Sequence, residues 1–492
     1  MQISSNTLRM SKSKYMAGLQ CHKRLYLDIR HQDLATKSDA RTEAIFDEGH
    51  KIGRLAHRLF PGGILIEHDR EHLTEALEQT ARLLRDASVP AIFEATFDFD
   101  GVLIQADILK RVGQDRWRLI EVKGSTQAHD HYSDDVAIQT YVVKGAGVDL
   151  DGSWLMHVNG QYVHPGGEVD VTEFFTTVNV TDDVNERLAT VPSRLAEMRV
   201  TLSADTAPPI EPDRHCDAPY HCQFWEHCTK DKPKRWVFYL PRVGQKLEKL
   251  NEMGIESIDD IPEEFPLSDH QRLVKEQQEW LDDGLKAALK SVRYPVHHLD
   301  FETISWGIPR YAQTHPFQQI PFQWSNHIES ADGQVRHDEF LHMEQTDSRE
   351  VLALSLLKSL RREGSICVYT GFEGRIIREL SAALPKLRKD LDRLLERLWD
   401  LYGVVGSHYL HPGFGSSYSL KAVLPALLPS LDYGDLAIQD GNMASNAYVQ
   451  MLFGSVGAAE QARIKADVLA YCGRDTLAMV ELRRMLLAKA LQ

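Results

Sequence analysis

Residues 90–124 are PAIFEATFDFDGVLIQADILKRVGQDRWRLIEVKG, a stretch rich in β-branched, aromatic and other apolar side chains. Short apolar runs that are broken by turn residues are typical of consecutive β-strands. Asp100 and Gly101 predict a first turn and Gly113 a second, because these residue types tolerate the backbone angles of tight reversals. The stretch therefore predicts strands over 90–112 and 116–124, the core of an α/β domain.

Three charged residues of this stretch suggest chemistry. Asp107 lies at the end of one predicted strand, and alternation along the next strand places Glu121 and Lys123 on one face. Carboxylates are the hard oxygen ligands that Mg²⁺ and Mn²⁺ prefer, and a neighbouring lysine could orient or activate water against a phosphodiester. The alternative is an exposed ion pair at a sheet edge.

The sequence around these strands predicts helices and a further strand. Helical spacing is present in RTEAIFDEGHKIGRLAHRLF (41–60) and in TEALEQTARLLRDA (74–87), and SWLMHVNG (153–160) predicts the strand. These elements extend the α/β prediction on both sides of 90–124.

Four cysteines flank this region. Cys21 stands alone, and Cys216, Cys222 and Cys228 occur with equal gaps in HCDAPYHCQFWEHC (215–228). Four thiolates are a full ligand set for a 4Fe-4S cluster. Zinc is the alternative, with histidines in place of a thiolate, and the histidines available are His215, His221 and His227. Disulfides are the least favoured, because no signal peptide is recognised and a reducing cytoplasm is expected.

Residues 1–232 resemble the PD-(D/E)XK nuclease superfamily, in particular RecB-like exonucleases with an iron-sulfur cluster, such as CRISPR adaptation nucleases. The resemblance rests on SKSKYMAGLQCHKRLYL (11–27), GRLAH (53–57), the Asp107, Glu121 and Lys123 set, and AIQTY (137–141). It implies that His57, Asp107 and Glu121 bind metal and that Lys123 is catalytic. Gln139 would position the scissile phosphate, with Tyr141 in the same motif. Many members space their last cysteines as Cys-x2-Cys-x5-Cys, whereas both gaps here contain five residues.

A second set of acidic residues lies in the C-terminal part. Asp300 and Glu302 share one face of a predicted strand in VHHLDFETI (296–304), and Tyr471 and Asp475 are stacked four residues apart on a predicted helix. Glu373 lies at the turn of a strand followed by a helix in VYTGFEGRII (368–377). Four such carboxylates would fit the two-metal scheme of phosphoryl displacement.

Residues 294–492 resemble the DEDD exonuclease group of RNase H-like folds in its tyrosine variant, and a bacterial family in which such a domain follows a RecB-like nuclease. The resemblance implies that Asp300, Glu302, Glu373 and Asp475 bind metal and that Tyr471 is catalytic. Glu373 stands where an aspartate is usual. Asp400 is interpreted as a structural aspartate, and Cys367 and Cys472 are assigned to core packing.

These patterns predict an α/β protein with a PD-(D/E)XK domain over 1–232, a helical connector over 233–290 and an RNase H-like domain over 291–492. The Pro-flanked KDKPKRWVFYLPR (230–242) predicts the boundary. The expected activity is that of a metal-dependent nuclease, with an exonuclease favoured, and the expected cofactors are a 4Fe-4S cluster and Mg²⁺ or Mn²⁺. The alternatives are a nucleic-acid-binding scaffold with decayed sites and an RNA-processing exonuclease.

The bulk properties bear on partners. The chain has 492 residues and a formal net charge of -15. This charge argues against general binding of polyanions over the whole surface, since proteins that bind phosphates usually present basic faces. Nucleic acid remains the expected partner, with single-stranded or ended DNA favoured. No apolar run approaches the length of a membrane span, so no membrane partner is expected. Protein partners are not predicted.

Overall fold

The computed structural model of the protein describes residues 10–37, 40–67, 72–415 and 417–491, with Ala40 and Arg41 described by their backbone alone. The chain divides into two units by its internal contacts. The first unit runs to Asp231 and also includes Trp306–Gln318, and the second comprises Lys232–Ser305 and the chain from Gln319 onward. Residues 233–290, predicted as a separate connector, are thus part of the second unit.

The first unit combines one mixed sheet with helices. Its strands are β1 Met10–Ser11, β2 Ile64–Leu65, β3 Ala91–Phe99, β4 Val102–Arg111, β5 Arg116–Lys123, β6 Asp149–Val158 and β7 Phe175–Asn179. Its helices are α1 Lys12–Gln20, α2 His22–Arg30, α3 Ala40–Ala56, α4 Leu73–Arg85, α5 His131–Gly145, α6 Val171–Phe174, α7 Thr181–Leu188, α8 Val191–Ser203 and α9 Trp225–Thr229.

The sheet of the first unit has the order β2-β3-β4-β5-β6-β7, and β1 pairs with β4. Strands β3, β4 and β5 are antiparallel neighbours, whereas β5 and β6 run parallel. The first predicted turn is present, because Asp100 and Gly101 both have positive φ angles, of 51° and 67°. The strands predicted within 90–124 are confirmed, and so is the α/β character of the region.

Helix α1 is short and connects two parts of the first unit. Ser11 caps its N-terminus by accepting a hydrogen bond from the backbone N of Lys14 (3.3 Å). Cys21 follows its last residue and donates its backbone N–H to the carbonyl oxygen of Ala17 (2.9 Å). Lys12 therefore stands in the first turn of α1 and Cys21 at its other end.

The second unit also combines mixed sheets with helices. Its strands are β8 Trp280–Leu281, β9 Val296–Ile304, β10 Ile320–Glu329, β11 Val335–Leu341, β12 Ser365–Val368, β13 Leu398–Asp400 and β14 Tyr409–Leu410. Its helices are α10 Lys246–Glu252, α11 Asp269–Lys275, α12 Leu285–Lys290, α13 Arg349–Leu360, α14 Phe372–Ala383, α15 Arg388–Leu395, α16 Leu401–His408, α17 Leu420–Leu427, α18 Gly441–Phe453 and α19 Ala458–Lys489.

The main sheet of the second unit has the order β11-β10-β9-β12-β13, and β14 pairs with β8 separately. β9 is antiparallel to β10 and parallel to β12, so it lies in the middle of the sheet. This explains its almost continuous burial, which a half-exposed strand would not have. Among the described residues, no helix is long and apolar enough to cross a membrane.

Candidate active sites

Strands β4 and β5 separate where their acidic residues lie. Their pairing reaches Ile108 and Ile120 and goes no further. Beyond that point Oδ2 of Asp107 accepts a hydrogen bond from the backbone N of Val122 (2.7 Å). The carboxylate thus takes the place of a strand partner, and it lies beside Glu121.

Glu94, which the sequence analysis did not select, adds a third carboxylate. It lies on β3 in the gap between two paired positions, directly across from Asp107, and its φ of 55° is rare for a residue other than glycine. Burial raises the pKa of Glu94, nearby Lys12 opposes the rise, and Glu121 adds to it. The backbone distortion and the charges place Glu94 with the other two carboxylates.

Two lysines bind the same oxygen of Glu121. Nζ of Lys123 lies 2.8 Å from Oε1 of Glu121 and 2.5 Å from Oδ2 of Asp135, and Nζ of Lys12 lies 2.8 Å from the same Oε1. Burial alone would raise the pKa of Glu121, but Lys12 and Lys123 outweigh it and hold that pKa below its ordinary range. For Asp107, burial and then Glu121 raise the pKa well above its usual value.

Helix α5 completes the first site with an amide. Nε2 of Gln139 donates to Oε2 of Glu121 (2.7 Å) and to Oδ1 of Asp135 (3.0 Å). Oε1 of Gln139 is buried and has no hydrogen-bond partner among the described residues. Gln139 therefore holds the carboxylates of Glu121 and Asp135 in place, and its Oε1 remains able to accept a hydrogen bond.

His57 and Tyr141 make contacts with other residues of the first unit. The ring of His57 stacks on Phe93, with 3.9 Å between centroids, and burial followed by Arg54 lowers its pKa. The hydroxyl of Tyr141 donates to Oδ2 of Asp100 (3.0 Å). Among the described residues, the one group of three ligand atoms within 4.8 Å of one another lies in the second unit.

The four cysteines gather in the first unit. Buried Cys216 and Cys222 pack with Phe224 and the α2 residues Tyr26 and Leu27, and Cys228 lies against this cluster. Burial raises the pKa of the Cys216 thiol to about 11, and the thiols of Cys222, Cys21 and Cys228 add to the rise. No three of the four sulfur atoms lie within 4.8 Å of one another.

Two of the flanking histidines differ in their neighbours. Nε2 of His215 is 3.6 Å from the sulfur of Cys216, whereas Nδ1 of His221 is 2.5 Å from Oδ1 of Asp217. The side chain of Gln20, next to Cys21, donates to the carbonyl oxygens of His215 (2.8 Å) and Tyr220 (2.7 Å). The cysteine loop is thus tied to the end of α1 by its backbone.

The second unit collects its acidic residues from three elements. Asp300 and Glu302 lie on β9, Glu373 lies in the first turn of α14, and Asp475 lies on α19. Glu373 is hydrogen-bonded to Asp300, whose pKa burial raises to about 6, and the pKa of Glu373 lies well above its usual value because of burial and then of Asp300. Oε2 of Glu373 is buried without a partner among the described residues.

Two tyrosines donate to Asp475. One is Tyr471, as the helical spacing predicted, and the other is Tyr433, which the sequence analysis did not select. Burial raises the pKa of Asp475 well above its usual value, and so does the charge of Asp300. Burial and then the charge of Asp300 raise the pKa of Glu302 in the same way.

The second site contains no close counter-ion. Among the described residues, no lysine, arginine or histidine forms an ion pair with Asp300, Glu302, Glu373 or Asp475. Lys421, which is exposed, partly opposes the rise of the pKa values of Glu302 and Asp475. Burial and mutual repulsion therefore dominate the pKa values of Glu302, Glu373 and Asp475, and no described cation pairs with them.

Cys472, assigned to core packing, is indeed fully buried, and it also contacts the acidic residues. Its sulfur lies 3.6 Å from Oδ2 of Asp300 and forms a group of possible metal ligands with Asp300 and Glu302. Helical spacing places Cys472 and Asp475 on one face of α19, a signal that the sequence contained. Cys367 does lie in an apolar core cluster.

Asp400 has the local role of a helix cap. Its Oδ1 accepts hydrogen bonds from the backbone N of Tyr402 (2.9 Å) at the start of α16 and from the backbone N of Thr370 (3.1 Å). It holds the turn that precedes Glu373 while Glu373 makes the contact with Asp300.

A comparison with protein families matches residues 297–419 to a domain of unknown function, DUF2779. The match includes Asp300, Glu302 and Glu373 and ends before Tyr471 and Asp475. A comparison with curated proteins gave no match. The chain is thus similar to this domain family over about a quarter of its length.

Proposed function

We propose that the protein is a metal-dependent nuclease with two hydrolytic sites, a PD-(D/E)XK site in the first unit and a DEDD-type exonuclease site in the second. The observation that carries the proposal is the buried carboxylate group in each unit, which in the second pairs with no cation among the described residues. Uncompensated buried charges are costly, so such a group calls for a cation. DNA is the favoured substrate.

The first site fits one divalent ion by its charges. Glu94, Asp107, Glu121 and Asp135 carry four negative charges when ionised, and Lys12 and Lys123 carry two positive charges. The remainder equals the charge of one Mg²⁺ or Mn²⁺ ion. Asp107 and Glu121 would hold this ion, and Gln139 would keep the carboxylate of Glu121 in place.

The second site fits two divalent ions by the same count, because no lysine or arginine in the described part of the chain pairs with Asp300, Glu302, Glu373 or Asp475. Bound divalent ions supply an activated water and charge stabilisation at the phosphate. Tyr471 and Tyr433 orient Asp475 through their hydroxyl groups, and Tyr471 would position the attacking water. The thiol of Cys472 adds a softer ligand atom at this site.

The thiols fit an iron-sulfur cluster better than zinc. Tetrahedral zinc with bonds of about 2.3 Å requires sulfur atoms roughly 3.8 Å apart, closer than any three of these thiols come. In a 4Fe-4S cluster each thiolate binds a different iron, so the ligands lie farther apart. Cys21, Cys216, Cys222 and Cys228 would hold such a cluster and fix α1 to the cysteine loop.

The test is cleavage of end-labelled single- and double-stranded DNA and RNA by the full-length protein with Mn²⁺, Mg²⁺ or EDTA. Glu121→Gln should remove one activity and Glu302→Gln another, so that the product patterns differ and the double variant is inactive. Glu481→Gln, which changes a partly exposed glutamate elsewhere on α19, is the control. Absence of cleavage of every polymer with both metals would contradict the proposal and favour a nucleic-acid-binding scaffold.

A further inference from the structure

Four aromatic rings cluster beside the first site. We call His129, His131, Tyr132 and Tyr220 the ring platform. His131 lies centrally, with centroids 4.4 Å from Tyr132, 5.5 Å from Tyr220 and 5.7 Å from His129. The rings come from the start of α5 and from the cysteine loop, so two separate parts of the first unit contribute to one surface.

The platform is accessible. Tyr220 is 52% exposed, which is unusual for a large aromatic side chain, and His129 is exposed as well. The ring of Tyr220 is not needed to hold its loop, because Gln20 already binds the backbone oxygens of His215 and Tyr220. The hydroxyl of Tyr220 lies 3.1 Å from Nε2 of His131, an exposed contact, and also hydrogen-bonds to Tyr132 of the platform itself. The ring is therefore available for a ligand.

The platform adjoins the groups proposed to cleave the phosphodiester. Nζ of Lys123 lies 5.2 Å from the centre of the Tyr132 ring, and the same Nζ binds Glu121 and Asp135. Lys123 and Asp135 also lie close enough to Tyr220 to influence its hydroxyl. A strand whose phosphate reaches Lys123 would carry its neighbouring base past these rings.

We propose that the ring platform stacks an unpaired nucleobase next to the phosphate held at the first site, so that this site acts on single-stranded or frayed nucleic acid. The inference rests on the proposed function. Stacking on aromatic rings is sequence-tolerant, since every base presents a π face, and it suits a protein that lacks a general excess of basic residues. Bases in an intact duplex have their faces covered and would not use the platform.

Two substitutions separate stacking from a structural tie. Tyr220→Leu keeps an apolar side chain but removes the ring, and Tyr220→Phe keeps the ring but removes the hydroxyl contacts with His131 and Tyr132. The binding of fluorescent single-stranded oligonucleotides is measured by anisotropy in EDTA with the full-length protein. Tyr220→Leu should weaken binding about tenfold, and Tyr220→Phe should match wild type. Tyr239→Leu, at an exposed tyrosine of the second unit, is the control.

An abasic nucleotide walked along the oligonucleotide identifies the stacked base. At one position the abasic strand should bind the wild-type protein about tenfold more weakly than the intact strand does. The Tyr220→Leu protein should bind the abasic and the intact strand equally well. Equal losses in both proteins at every position would overturn the inference, as would a Tyr220→Phe protein that loses as much as Tyr220→Leu. A preference for blunt duplex would also overturn it.

Cleavage in Mn²⁺ is measured separately on the same proteins with the second site silenced by Asp300→Asn. Cleavage that does not depend on Tyr220 would agree with the nuclease proposal and contradict base stacking on the ring platform. Binding that depends on Tyr220 in the expected way without any cleavage would contradict the nuclease proposal and agree with base stacking.

Discussion

At Oε1 of Glu121 two ammonium groups share one oxygen atom. A lysine charge about 4 Å from a carboxylate is worth several kcal/mol even with substantial screening, so each ammonium competes with a metal ion for that oxygen. Lys123 lies two residues from Glu121 on β5, whereas Lys12 arrives from α1, 109 positions away in the chain. The two lysines therefore reach the same ligand by independent routes.

Removing Lys12 should tighten metal binding. In Lys12→Met the carboxylates lose one positive charge while the apolar stem of the side chain remains, so Mn²⁺ should bind the first site roughly tenfold more tightly or more. Titration of free Mn²⁺ by electron paramagnetic resonance measures the affinity. Lys14→Met is the matched control, because Nζ of Lys14 pairs with Asp28 instead (3.4 Å). Weaker Mn²⁺ binding by Lys12→Met would contradict the charge count.

Removing Lys123 should separate metal binding from cleavage. With the second site silenced by Asp300→Asn, Lys123→Ala should lower cleavage by about 10² to 10⁴, because the group that orients water and phosphate is lost. Mn²⁺ affinity should not fall, whereas Asp107→Ala should lose both. Full cleavage by the Lys123→Ala protein would show that the first site is not of the PD-(D/E)XK type.

The residues of the first site show how far a sequence can be interpreted. Strand alternation correctly placed Glu121 and Lys123 on one face, because that contact is local. Lys12 and Glu94 were not predicted as site residues. The contact of Lys12 with Glu121 joins distant parts of the chain, and the position of Glu94 depends on an unusual backbone angle. Asp135 could have been found, because it precedes Gln139 by four residues on α5 and so shares its face.

At the scale of elements, the second site depends on β9, α14 and α19 meeting at buried carboxylates. Folding removes Asp300 from water, so the folded protein retains its proton up to a pKa of about 6, whereas an unfolded chain releases it near pH 4. The folded state thus binds more protons between these values. Its stability contribution is present at low pH and is lost as pH rises through about 6.

Metal-free protein should accordingly become less stable as pH rises from about 4 to 7, with Asp300 contributing on the order of 2 kcal/mol. Asp300→Asn, which cannot titrate, should flatten this dependence. Mn²⁺ should restore stability to wild type at pH 7 through its preference for the folded state. Calorimetry across pH measures the effect, and identical pH profiles for the two metal-free proteins would contradict it.

The elements themselves were largely predictable. The strands within 90–124, the strand at 296–304 and the long C-terminal helix have strong periodic or continuous apolar patterns, and the structure contains all three. The contribution of Tyr433 was not predictable, because it lies in a stretch between α17 and α18 without periodicity and reaches Asp475 only through tertiary packing.

At the scale of the whole molecule, the two units carry separate groups of buried carboxylates. The boundary near residue 232 followed from a proline-flanked stretch, and the structure divides the chain there. The assignment of Trp306–Gln318 to the first unit could not be predicted, because nothing in a local pattern reveals that a loop between β9 and β10 packs with an earlier part of the chain.

Loss of one thiol should affect the units unequally. Cys222→Ser should destabilise the first unit, because the proposed cluster connects Cys21 to a loop about 200 residues away and its binding energy contributes to folding. Anaerobically purified wild type should be brown and contain iron and sulfide in similar amounts, and Cys222→Ser should lose both. Limited proteolysis should degrade the first unit of this variant sooner than the second.

Cys367→Ser provides the reciprocal control, because Cys367 lies in an apolar cluster of the second unit. Cys367→Ser should lower the stability of the second unit and leave the brown colour of the protein unchanged. A colourless wild type with stoichiometric zinc would contradict the cluster, and simultaneous proteolysis of both units in Cys222→Ser would contradict their independence.

Helix α1 has nine residues and so spans about 13 Å. Its backbone hydrogen bonds make it nearly rigid along its axis, and its two ends lie in different chemical environments. Lys12 occupies the acidic end and Cys21 the sulfur end. A shift of the sulfur end would therefore move the backbone that carries Lys12, so oxidation of the thiols would alter the charge balance of the proposed first site from about 13 Å away.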